Sequence, residues 1–489
     1  MLTSQAKQWK AERIEKIEKY LKTETRMDFI DDAYIETLIE KPSVPDIKYI
    51  ETLIEKSKKI MGLTPEETAY LLNIEDPAIW EKLFEAARIV KNEVYGNRIV
   101  LFAPMYLSSA CVNNCVYCGF RDSNEGMNRK VLTETEITAE TKAMTKVGHK
   151  RVLAVFGEDQ SSDYKYMARA MEVIYASKNG KDDIRRVNIN GAPLFVDEYK
   201  VLKDIGIGTY QIFQETYNKA MYAKMHGKGH IKSNYKWRLF GQHRAMEAGI
   251  GDVAIGALFG LYKWKFEVIA MLYHSLALEK EFGVGTHTIS FPRLEPALNT
   301  DFHKTTPYAV SPEDMKKVVA MIRLSVPYTG LILTARETAE HRRELIQLGV
   351  SQTDAGTNIT IGGYQDGDKM EKKQFDIADK RSLDEYISEL VDMGYIPSFC
   401  TADYRCGRTG CSFMDFAKTG KMKKFCIPNA VLTFKEYLID YASPEVKVKG
   451  AKLLADYAAY VKKEFPEAMS KTLGEYMVRI DKGERDLYF

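Results

Sequence analysis

The sequence lacks an uninterrupted apolar stretch that is long enough to cross a membrane. Its most apolar long stretch, residues 253–278, is broken by Lys263, Lys265 and Glu267, whereas a spanning helix needs about 20 consecutive apolar residues. Residues 1–22 are charged, follow a helical pattern and contain no apolar core like that of a secretory signal peptide. We therefore expect a protein that has no membrane contact and stays in the cytoplasm.

The sequence also lacks an excess of charge of either sign. Its 70 Lys and Arg residues nearly balance its 68 Asp and Glu residues, for a net charge of +2, so there is no general electrostatic case for binding nucleic acid. Internal repeats and low-complexity tracts are missing as well. With 489 residues, 45% of them hydrophobic, the chain is long enough for one large α/β domain with extensions.

Cysteine is scarce, and the seven cysteines fall into two groups. Such grouping fits metal ligation in a reducing compartment better than a disulfide framework. The first group is Cys111, Cys115 and Cys118, and the second is Cys400, Cys406, Cys411 and Cys426.

The first group has the spacing CxxxCxxC and has no fourth cysteine nearby. Three thiolates this close can hold three irons of a [4Fe-4S] cluster, which would leave the fourth iron open for chemistry. The alternatives are a zinc site, which usually takes four protein ligands, and buried structural cysteines, which need no such spacing. The spacing favours the cluster.

The pattern of apolar runs predicts three segments. Residues 1–90 read as charged amphipathic helices, residues 91–365 as alternating strands and helices, and residues 366–489 as a mostly helical tail. Eight β–α repeats predict a closed (β/α)₈ barrel, although the weak last strand leaves a partly open barrel as an alternative. The predicted strands are 98–103, 151–156, 186–190, 208–213, 252–258, 286–291, 330–335 and 351–356, and the helices between them include 135–149, 163–178, 235–249, 266–282, 312–324 and 338–348.

Polar residues follow these strands at the end where (β/α) barrels build their active sites. A single such residue is usually a helix cap or part of a solvated loop, but here several coincide with the first cysteine group. We therefore expect the active site at this end of the barrel. The residues are Gly157, Glu158, Asn188, Asn190, Gln214, Glu215, Pro292, Arg293, Arg336 and Glu337.

The tail carries the second cysteine group within CTADYRCGRTGCSFMDFAKTGKMKKFC. Four cysteines within 27 residues, among glycines and other small residues, could ligate a second metal centre. The alternative is a set of free thiols in a helical cap. The rest of the tail, a helical pattern to Tyr488, is expected to pack against the barrel.

The cysteine spacing resembles the signature of radical S-adenosylmethionine (SAM) enzymes, and longer segments resemble the tyrosine lyases of the HydG/ThiH family, the [FeFe]-hydrogenase maturase HydG above all. The similarity runs from about residue 30 to the C-terminal end. The segments that carry it are APMYLSSACVNNCVYCGFRDSN, RRVNINGAP, GTYQIFQETY, YKWRLFGQHRAMEAGIGDVAIGALFGLY, FGVGTHTISFPRLEPALN and CTADYRCGRTG.

The resemblance implies a radical SAM (β/α)₈ barrel with a C-terminal cluster domain, and it implies how SAM is bound. The backbone near Tyr117 is expected at the adenine, Gly157 and Glu158 at the amino group, and Glu215 and Arg238 at the ribose and carboxylate. An acidic partner for the ammonium and a donor for the carboxylate are what a zwitterion needs. For Arg238 the alternative is an ion pair on a helix surface.

The seventh strand is expected to hold the substrate. Members of the family carry Ser-Thr-Arg there, with the arginine on the carboxylate of the amino acid, whereas this chain has Thr334-Ala335-Arg336. The guanidinium binds a carboxylate with two parallel hydrogen bonds, so the change is compatible with an α-amino acid. Thr334 keeps the hydroxyl of serine but adds a methyl group, which alters the shape of the pocket.

Two departures from the family concern the second metal site. The tail motif has three cysteines in the family, but this chain has Cys400, Asp403 and Cys426, and a carboxylate is a harder donor that binds iron more weakly. Cys406 or Cys411 could substitute for the missing thiolate. A histidine that holds an additional iron in HydG aligns with Ala277, and neither His274 nor His287 obviously replaces it.

The resemblance therefore implies a radical SAM lyase that cleaves the Cα–Cβ bond of L-tyrosine to p-cresol and 2-iminoacetate, not necessarily with full formation of CO and cyanide. Its cofactors would be a [4Fe-4S] cluster, SAM and potentially a second cluster in the tail. A flavodoxin or ferredoxin would supply the electron, and hydrogenase-maturation or thiazole-synthesis proteins are candidate partners. The alternatives are a complete maturase, a lyase for another amino acid and a non-catalytic iron–sulfur scaffold.

Overall fold

The computed structural model describes residues 3–419 and 421–489. Eight parallel strands close into a barrel, and a ninth strand from the tail extends it. The strands are β1 (Arg98–Ser108), β2 (Arg151–Phe156), β3 (Arg186–Asn190), β4 (Tyr210–Gln211), β5 (Val253–Gly256), β6 (Thr288–Ser290), β7 (Gly330–Leu333), β8 (Gln352–Asp354) and β9 (Ile396–Ser398).

Each strand from β1 to β8 pairs with the next, and β8 pairs back with β1. Even the short β8 is held on both sides, because Thr353 is opposite Leu101 of β1 and Leu333 of β7. The prediction of a closed (β/α)₈ barrel is therefore confirmed. All eleven residues of β1 are buried, as expected for a parallel strand that is covered on both faces.

Six of the eight barrel strands differ from their predicted bounds, and β1 and β4 differ most. β1 continues five residues past Ala103 to Ser108, so it reaches from one end of the barrel to the cysteine loop. β4 pairs regularly only over Tyr210 and Gln211. Beyond it Glu215 takes a positive φ of 73°, a conformation that interrupts a strand and turns the side chain in a new direction.

The helices of the barrel segment occur close to where the periodicity predicts them. The predicted helix at 235–249 is divided at Phe240, where Arg244 donates to the carbonyl of Trp237. The helices are α6 (Glu134–Lys146), α7 (Tyr164–Ala176), α8 (Val196–Ile205), α9 (Lys219–His226), α10 (Tyr235–Leu239), α11 (Gly241–Glu247), α12 (Trp264–Phe282), α13 (Phe302–Thr305), α14 (Pro312–Ser325), α15 (Ala339–Leu348) and α16 (Gly363–Asp366), preceded in the chain by α1 (Ser4–Leu21), α2 (Asp32–Glu40), α3 (Ile47–Lys58), α4 (Pro65–Leu72) and α5 (Pro77–Tyr95).

The N-terminal helices pack on the outside of the barrel. α5 contacts α14 and α15, and its buried Leu83 and Val90 belong to the same hydrophobic core as the strands. α1 packs separately, in a cluster where Ala6 and Ile17 meet Phe195. No helix in the described part of the chain is long and apolar enough to cross a membrane.

The tail closes the end of the barrel where the strands begin. Val100 is opposite both Gln352 of β8 and Ser398 of β9, so β9 occupies the edge of β1 that β2 takes further along. Nearby, Tyr404 is hydrogen-bonded to Thr209, just before β4. The tail helices are α17 (Leu383–Asp392), α18 (Ala402–Arg405), α19 (Cys411–Lys418), α20 (Lys423–Asp440), α21 (Pro444–Glu464) and α22 (Glu467–Asp481).

The predicted boundary between barrel and tail at residue 365 stays a prediction. Residues 366–382 do not form a separate unit, because Gln374, Phe375 and Ile377 line the cavity at the barrel mouth. The helical pattern predicted to Tyr488 ends at Asp481.

Candidate active site

A cavity lies at the ends of the barrel strands where polar residues were expected. Its empty volume, including the open mouth, is about 1400 Å³. Its lining includes all the residues outside the tail that the family resemblance predicts to hold the cluster, SAM or the substrate: Cys111, Cys115, Tyr117, Cys118, Gly157, Glu158, Glu215, Arg238, Thr334 and Arg336.

The cysteine loop is held against the end of β2. Val112 N donates to the carbonyl of Glu158 at 2.8 Å, and Gly157 N donates to that of Ser108 at 2.9 Å. A Cβ at Gly157 would lie only 2.1 Å from the carbonyl oxygen of Ala110. Position 157 therefore needs glycine for this close approach, which places Glu158 beside the cysteines.

The three thiols are enclosed in the cavity wall. Burial raises the pKa of Cys111 and of Cys115 to about 11, and it also raises the pKa of Cys118. Protonated, buried thiols are what a ligand set presents before it binds metal, and binding then releases their protons. The Asn113 side chain donates to Glu158 at 2.6 Å and points its amide at Cys111, 3.8 Å away.

Cys118 has a hydrogen-bond donor from a distant part of the chain. The Nε2 atom of Gln374 lies 3.5 Å from its Sγ atom. The Oε1 atom of the same side chain accepts from the hydroxyl of Tyr106 at 3.2 Å. The Sγ atom of Cys118 therefore accepts a hydrogen bond from a residue that lies 256 positions away in the sequence.

Glu215 is the centre of a buried charged group. Its Oε1 atom accepts from Lys232 at 2.6 Å and from Arg238 at 3.1 Å. Burial alone would raise the pKa of Glu215, but the two cations hold the pKa below its ordinary value, so the carboxylate is ionised. Its positive φ is a strained conformation of the kind that occurs at functional sites.

Tyr117 is fixed beside this group. Its hydroxyl accepts from Lys232 at 3.1 Å and lies 2.9 Å from Nε2 of His226. Arg238, expected to be either a ligand of SAM or part of a surface ion pair, is buried and also donates to the carbonyl of Phe213 at 2.6 Å. It pairs with Glu215, but it does so inside the cavity and not on a helix surface.

Glu158 differs from Glu215 in charge balance. Burial raises the pKa of Glu158, and Asn113 opposes that effect only in part. A buried carboxylate with a raised pKa becomes more stable as an anion when a cation arrives. Glu158 therefore suits an ammonium group from a ligand, whereas Glu215 already has two cationic partners.

Arg336 lines the cavity just after the end of β7. Its guanidinium is 3.4 Å from the ring centroid of Phe375, and one N–H group donates to the carbonyl of Arg293 at 3.1 Å. Burial lowers the pKa of Arg336. Burial also raises the pKa of the neighbouring Glu295 to about 7, with Arg336 opposing the shift.

Several of the polar residues that follow strands do not face the cavity. The Arg293 guanidinium is paired with Glu337, which also accepts from His341 at 2.7 Å. Asn188 instead accepts from the backbone N–H of Thr209. Of these strand-end residues, those outside the lining are Asn188, Gln214, Arg293 and Glu337.

The sequence analysis missed six charged or amide side chains of the cavity lining, which are Asn113, Gln211, Lys232, Glu295, Asp354 and Gln374. Asn113 lies between the first two cysteines and could have been found from its position. Lys232 and Gln374 belong to loops without a recognisable motif, and only the fold brings them to the cysteines.

The second predicted metal site is not an open cavity. Cys400 and Cys426 are buried, and burial raises their pKa values to about 11 and about 12. Asp403, which contributes to both shifts, accepts from Arg408 at 3.0 Å. These three residues share one region at the base of the barrel, but the only carboxylate already has a cationic partner.

The other candidate ligands near the tail have other contacts. The exposed Cys406 and Cys411 lie 3.8 Å from the carbonyls of Phe489 and Phe282. His274 is hydrogen-bonded to Tyr217 at 2.8 Å, and His287 packs against Phe413 just before β6. His287 is therefore a buried residue of the barrel.

Across residues 3–419 and 421–489, no three His, Cys, Asp or Glu side chains converge on one position for a single metal ion. A cubane cluster does not require such convergence, because each thiolate binds a different iron. The first cysteine group fits that arrangement, since all three thiols border a large cavity.

Two family models match the chain. The radical SAM superfamily matches residues 105–274, which contain the cysteine loop and the Glu215 group. The Biotin and Thiamin Synthesis associated domain matches residues 290–396, which contain Arg336 and Gln374. Fold and site thus define a radical SAM enzyme, a class that uses a [4Fe-4S] cluster and SAM.

Individual relatives narrow the class. The 2-iminoacetate synthase of Escherichia coli K12 is 30% identical over 349 residues, which cover 71% of this chain and 89% of the relative. The crystal structure of HydG, a maturase of the [FeFe]-hydrogenase, is 48% identical with a TM-score of 0.90, covering 95% of this chain and all of that one. HydG from Carboxydothermus hydrogenoformans is 38% identical with a TM-score of 0.74, covering 96% and 99%. The chain belongs to the radical SAM family of HydG and 2-iminoacetate synthase.

Proposed function

We propose that the protein is a radical SAM lyase that cleaves L-tyrosine between Cα and Cβ to give p-cresol and 2-iminoacetate. One observation carries the proposal: the cysteine loop, the Glu215 group and Arg336 line a single cavity. A cluster, SAM and an amino acid bound by these residues would therefore be next to one another. The family membership supports the same activity.

The cluster would be held by Cys111, Cys115 and Cys118. When bound, it supplies the electron that splits SAM into methionine and a 5′-deoxyadenosyl radical. Glu158 would take the ammonium of SAM, because its burial leaves a negative charge without a strong cationic partner. Glu215 and Arg238 would hold the ribose and the carboxylate.

The substrate would be oriented by the residues that follow β7. Arg336 would bind the carboxylate of the amino acid, because a guanidinium makes two parallel hydrogen bonds to a carboxylate. The ring of Phe375 beneath it restricts where the guanidinium can point. Thr334 would assist through its hydroxyl group. Fixing one reactive hydrogen near the radical source, away from others, is what a closed cavity can contribute.

The electron would come from a flavodoxin or ferredoxin. We assign only the lyase half of the HydG reaction to this chain, because Asp403 replaces a family cysteine and is bonded to Arg408. Cys400, Asp403 and Cys426 would then form at most a weak second metal site. A complete maturase would need that site to hold a cluster firmly.

The test is an anaerobic turnover assay on reconstituted protein with SAM, dithionite and tyrosine, read by mass spectrometry. Comparable amounts of 5′-deoxyadenosine and p-cresol are expected. The variant Arg336→Leu should still form 5′-deoxyadenosine but lose p-cresol. Arg343→Leu, which changes an exposed arginine on the following helix, is the matched control and should behave as the wild type.

Two results would contradict the proposal. Formation of 5′-deoxyadenosine without p-cresol from wild-type protein would point to another amino acid, which a screen of the remaining amino acids would identify. No 5′-deoxyadenosine, in spite of a full cluster, would point to an iron–sulfur scaffold.

A further inference from the structure

Residues 373–377, called here the mouth strap, cross the cavity mouth. The strap is tied to the cysteine loop, because Gly119 N donates to the carbonyl of Gln374 at 2.9 Å. It is also tied to the loop after β6, because Asp376 N donates to the carbonyl of Pro296 at 2.8 Å. The strap therefore bridges two loops that come from different strands.

The contact between the strap and the cysteine loop is close. A Cβ on Gly119 would lie 2.7 Å from the carbonyl oxygen of Gln374 and 2.8 Å from that of Lys373. Both atoms belong to the backbone, so the strap would have to move. The residue directly after Cys118 is thus shaped to receive the strap.

Two adjacent strap residues reach two different parts of the site. The amide of Gln374 lies 3.5 Å from the sulfur of Cys118, and the ring of Phe375 lies under Arg336. The next contact along the chain, from Ala378 N to the carbonyl of Ala335, fixes the strap beside β7. A single short segment therefore touches the proposed cluster ligand and the proposed substrate clamp.

The Gln374 amide has only one useful orientation. The hydroxyl of Tyr106 donates to its Oε1 atom, which leaves Nε2 toward Cys118. A cluster thiolate accepts hydrogen bonds and cannot donate them, so Nε2 is also the atom that it requires. Hydrogen bonds to cluster sulfurs are among the factors that set the reduction potential of the cluster.

We propose that the mouth strap positions both ends of the reaction site. Gln374 raises the reduction potential of the cluster through its hydrogen bond to Cys118, and Phe375 aligns Arg336. The hydrogen bond raises the potential because it stabilises the more negatively charged, reduced form. Both are positioning residues that act through others. The inference rests on the proposed function, since it takes Cys118 as a cluster ligand and Arg336 as the substrate clamp.

The main test is a redox titration of the reconstituted cluster, followed by electron paramagnetic resonance. In Gln374→Leu the midpoint should become more negative. At a fixed potential the ratio of reduced to oxidised cluster should fall roughly two- to tenfold, the factor that the net free energy of one hydrogen bond gives. Gln365→Leu, on an exposed glutamine outside the cavity, is the matched control and should match the wild type.

Two further variants separate the roles. Tyr106→Phe keeps Gln374 but frees its amide to rotate, so the midpoint should shift in the same direction by a smaller amount. Phe375→Leu should weaken tyrosine binding, measured by titration of the SAM-loaded protein, and leave the midpoint unchanged. If Gln374→Leu has little iron, Tyr106→Phe provides the decisive titration.

A wild-type midpoint in both Gln374→Leu and Tyr106→Phe would overturn the role of Gln374, and unchanged tyrosine affinity in Phe375→Leu would overturn that of Phe375. Neither readout requires p-cresol. The redox result therefore stands or falls independently of whether tyrosine is the substrate. A protein that forms p-cresol but shows no redox shift would disprove the strap inference and keep the proposed function.

Discussion

At the scale of single residues, the site depends on charged side chains that no sequence motif identifies. Lys232 is one of the two cations that pair with Glu215, and it also donates a hydrogen bond to the hydroxyl of Tyr117. It comes from a loop without a motif, six positions before Arg238 in sequence. The cysteines could be found because their spacing alone reports cluster geometry, whereas the role of Lys232 exists only after folding.

Replacing Lys232 should weaken SAM binding. In Lys232→Met, Glu215 stays buried but has Arg238 as its only hydrogen-bonded cation. The pKa of Glu215, which is now below its ordinary value, therefore rises. The carboxylate then protonates at a higher pH, and SAM affinity is lost earlier as the pH falls. At neutral pH we expect about tenfold weaker binding, or about 1.4 kcal/mol, close to the lower limit for a hydrogen bond to a charged group.

Equilibrium dialysis of SAM from pH 5 to 8 would measure the effect of Lys232→Met. The exposed Lys236, four residues further on, provides the control Lys236→Met, which should bind as the wild type does. Equal affinities and equal pH profiles for the two variants would show that Glu215 needs only Arg238.

At the scale of secondary-structure elements, β2 and the cysteine loop form one unit through Gly157. The sequence predicted β2 with the bounds that the structure shows, and it placed the cysteine loop after β1, although β1 runs five residues further than predicted. It could not predict β9 or the reach of residues 373–377, because these depend on contacts between segments far apart in the chain. Strand β4 shows the same limit, since its regular pairing covers only Tyr210 and Gln211, whereas the local pattern predicts a strand over 208–213.

A side chain at position 157 should push the cysteine loop away from the end of β2. In Gly157→Ala the new Cβ meets the backbone oxygen of Ala110 at 2.1 Å, and the loop must move. We expect a loss of roughly 1–3 kcal/mol of stability, as for overpacking elsewhere, and a smaller iron content after reconstitution. Iron and sulfide analysis together with thermal unfolding would measure both effects.

The control is Gly474→Ala, in the C-terminal helix α22, where an added Cβ has no atom within 4 Å. That change should stabilise the protein slightly, because alanine favours a helix over glycine. Full iron incorporation in Gly157→Ala would mean that the loop can assemble a cluster without its contact to β2.

At the scale of the whole molecule, the two cysteine groups lie at opposite ends of the barrel. The first borders the large cavity where the strands end, and Cys400 and Cys426 of the second are buried under the strands where they begin. Sequence reasoning identified both groups from their spacing. It could not show that the tail closes the barrel base, because that arrangement follows from β9 pairing with the first residues of β1.

The iron content should therefore come mainly from the first group, and restoring the family cysteine should change that. In a chain with Cys111, Cys115 and Cys118 all replaced by alanine, we expect the remaining iron to be well below the about four atoms of a cubane cluster. Asp403 is bonded to Arg408 and is a weaker iron ligand than a thiolate. Adding Asp403→Cys to the triple variant should raise the iron toward about four per chain, measured together with the Mössbauer spectrum.

Asp403→Asn, which removes the charge without adding a thiolate, is the control and should bind no additional iron. If the triple variant already holds a full cluster, Cys400, Asp403 and Cys426 form a competent second site, and the complete maturase reaction becomes the better assignment for this chain.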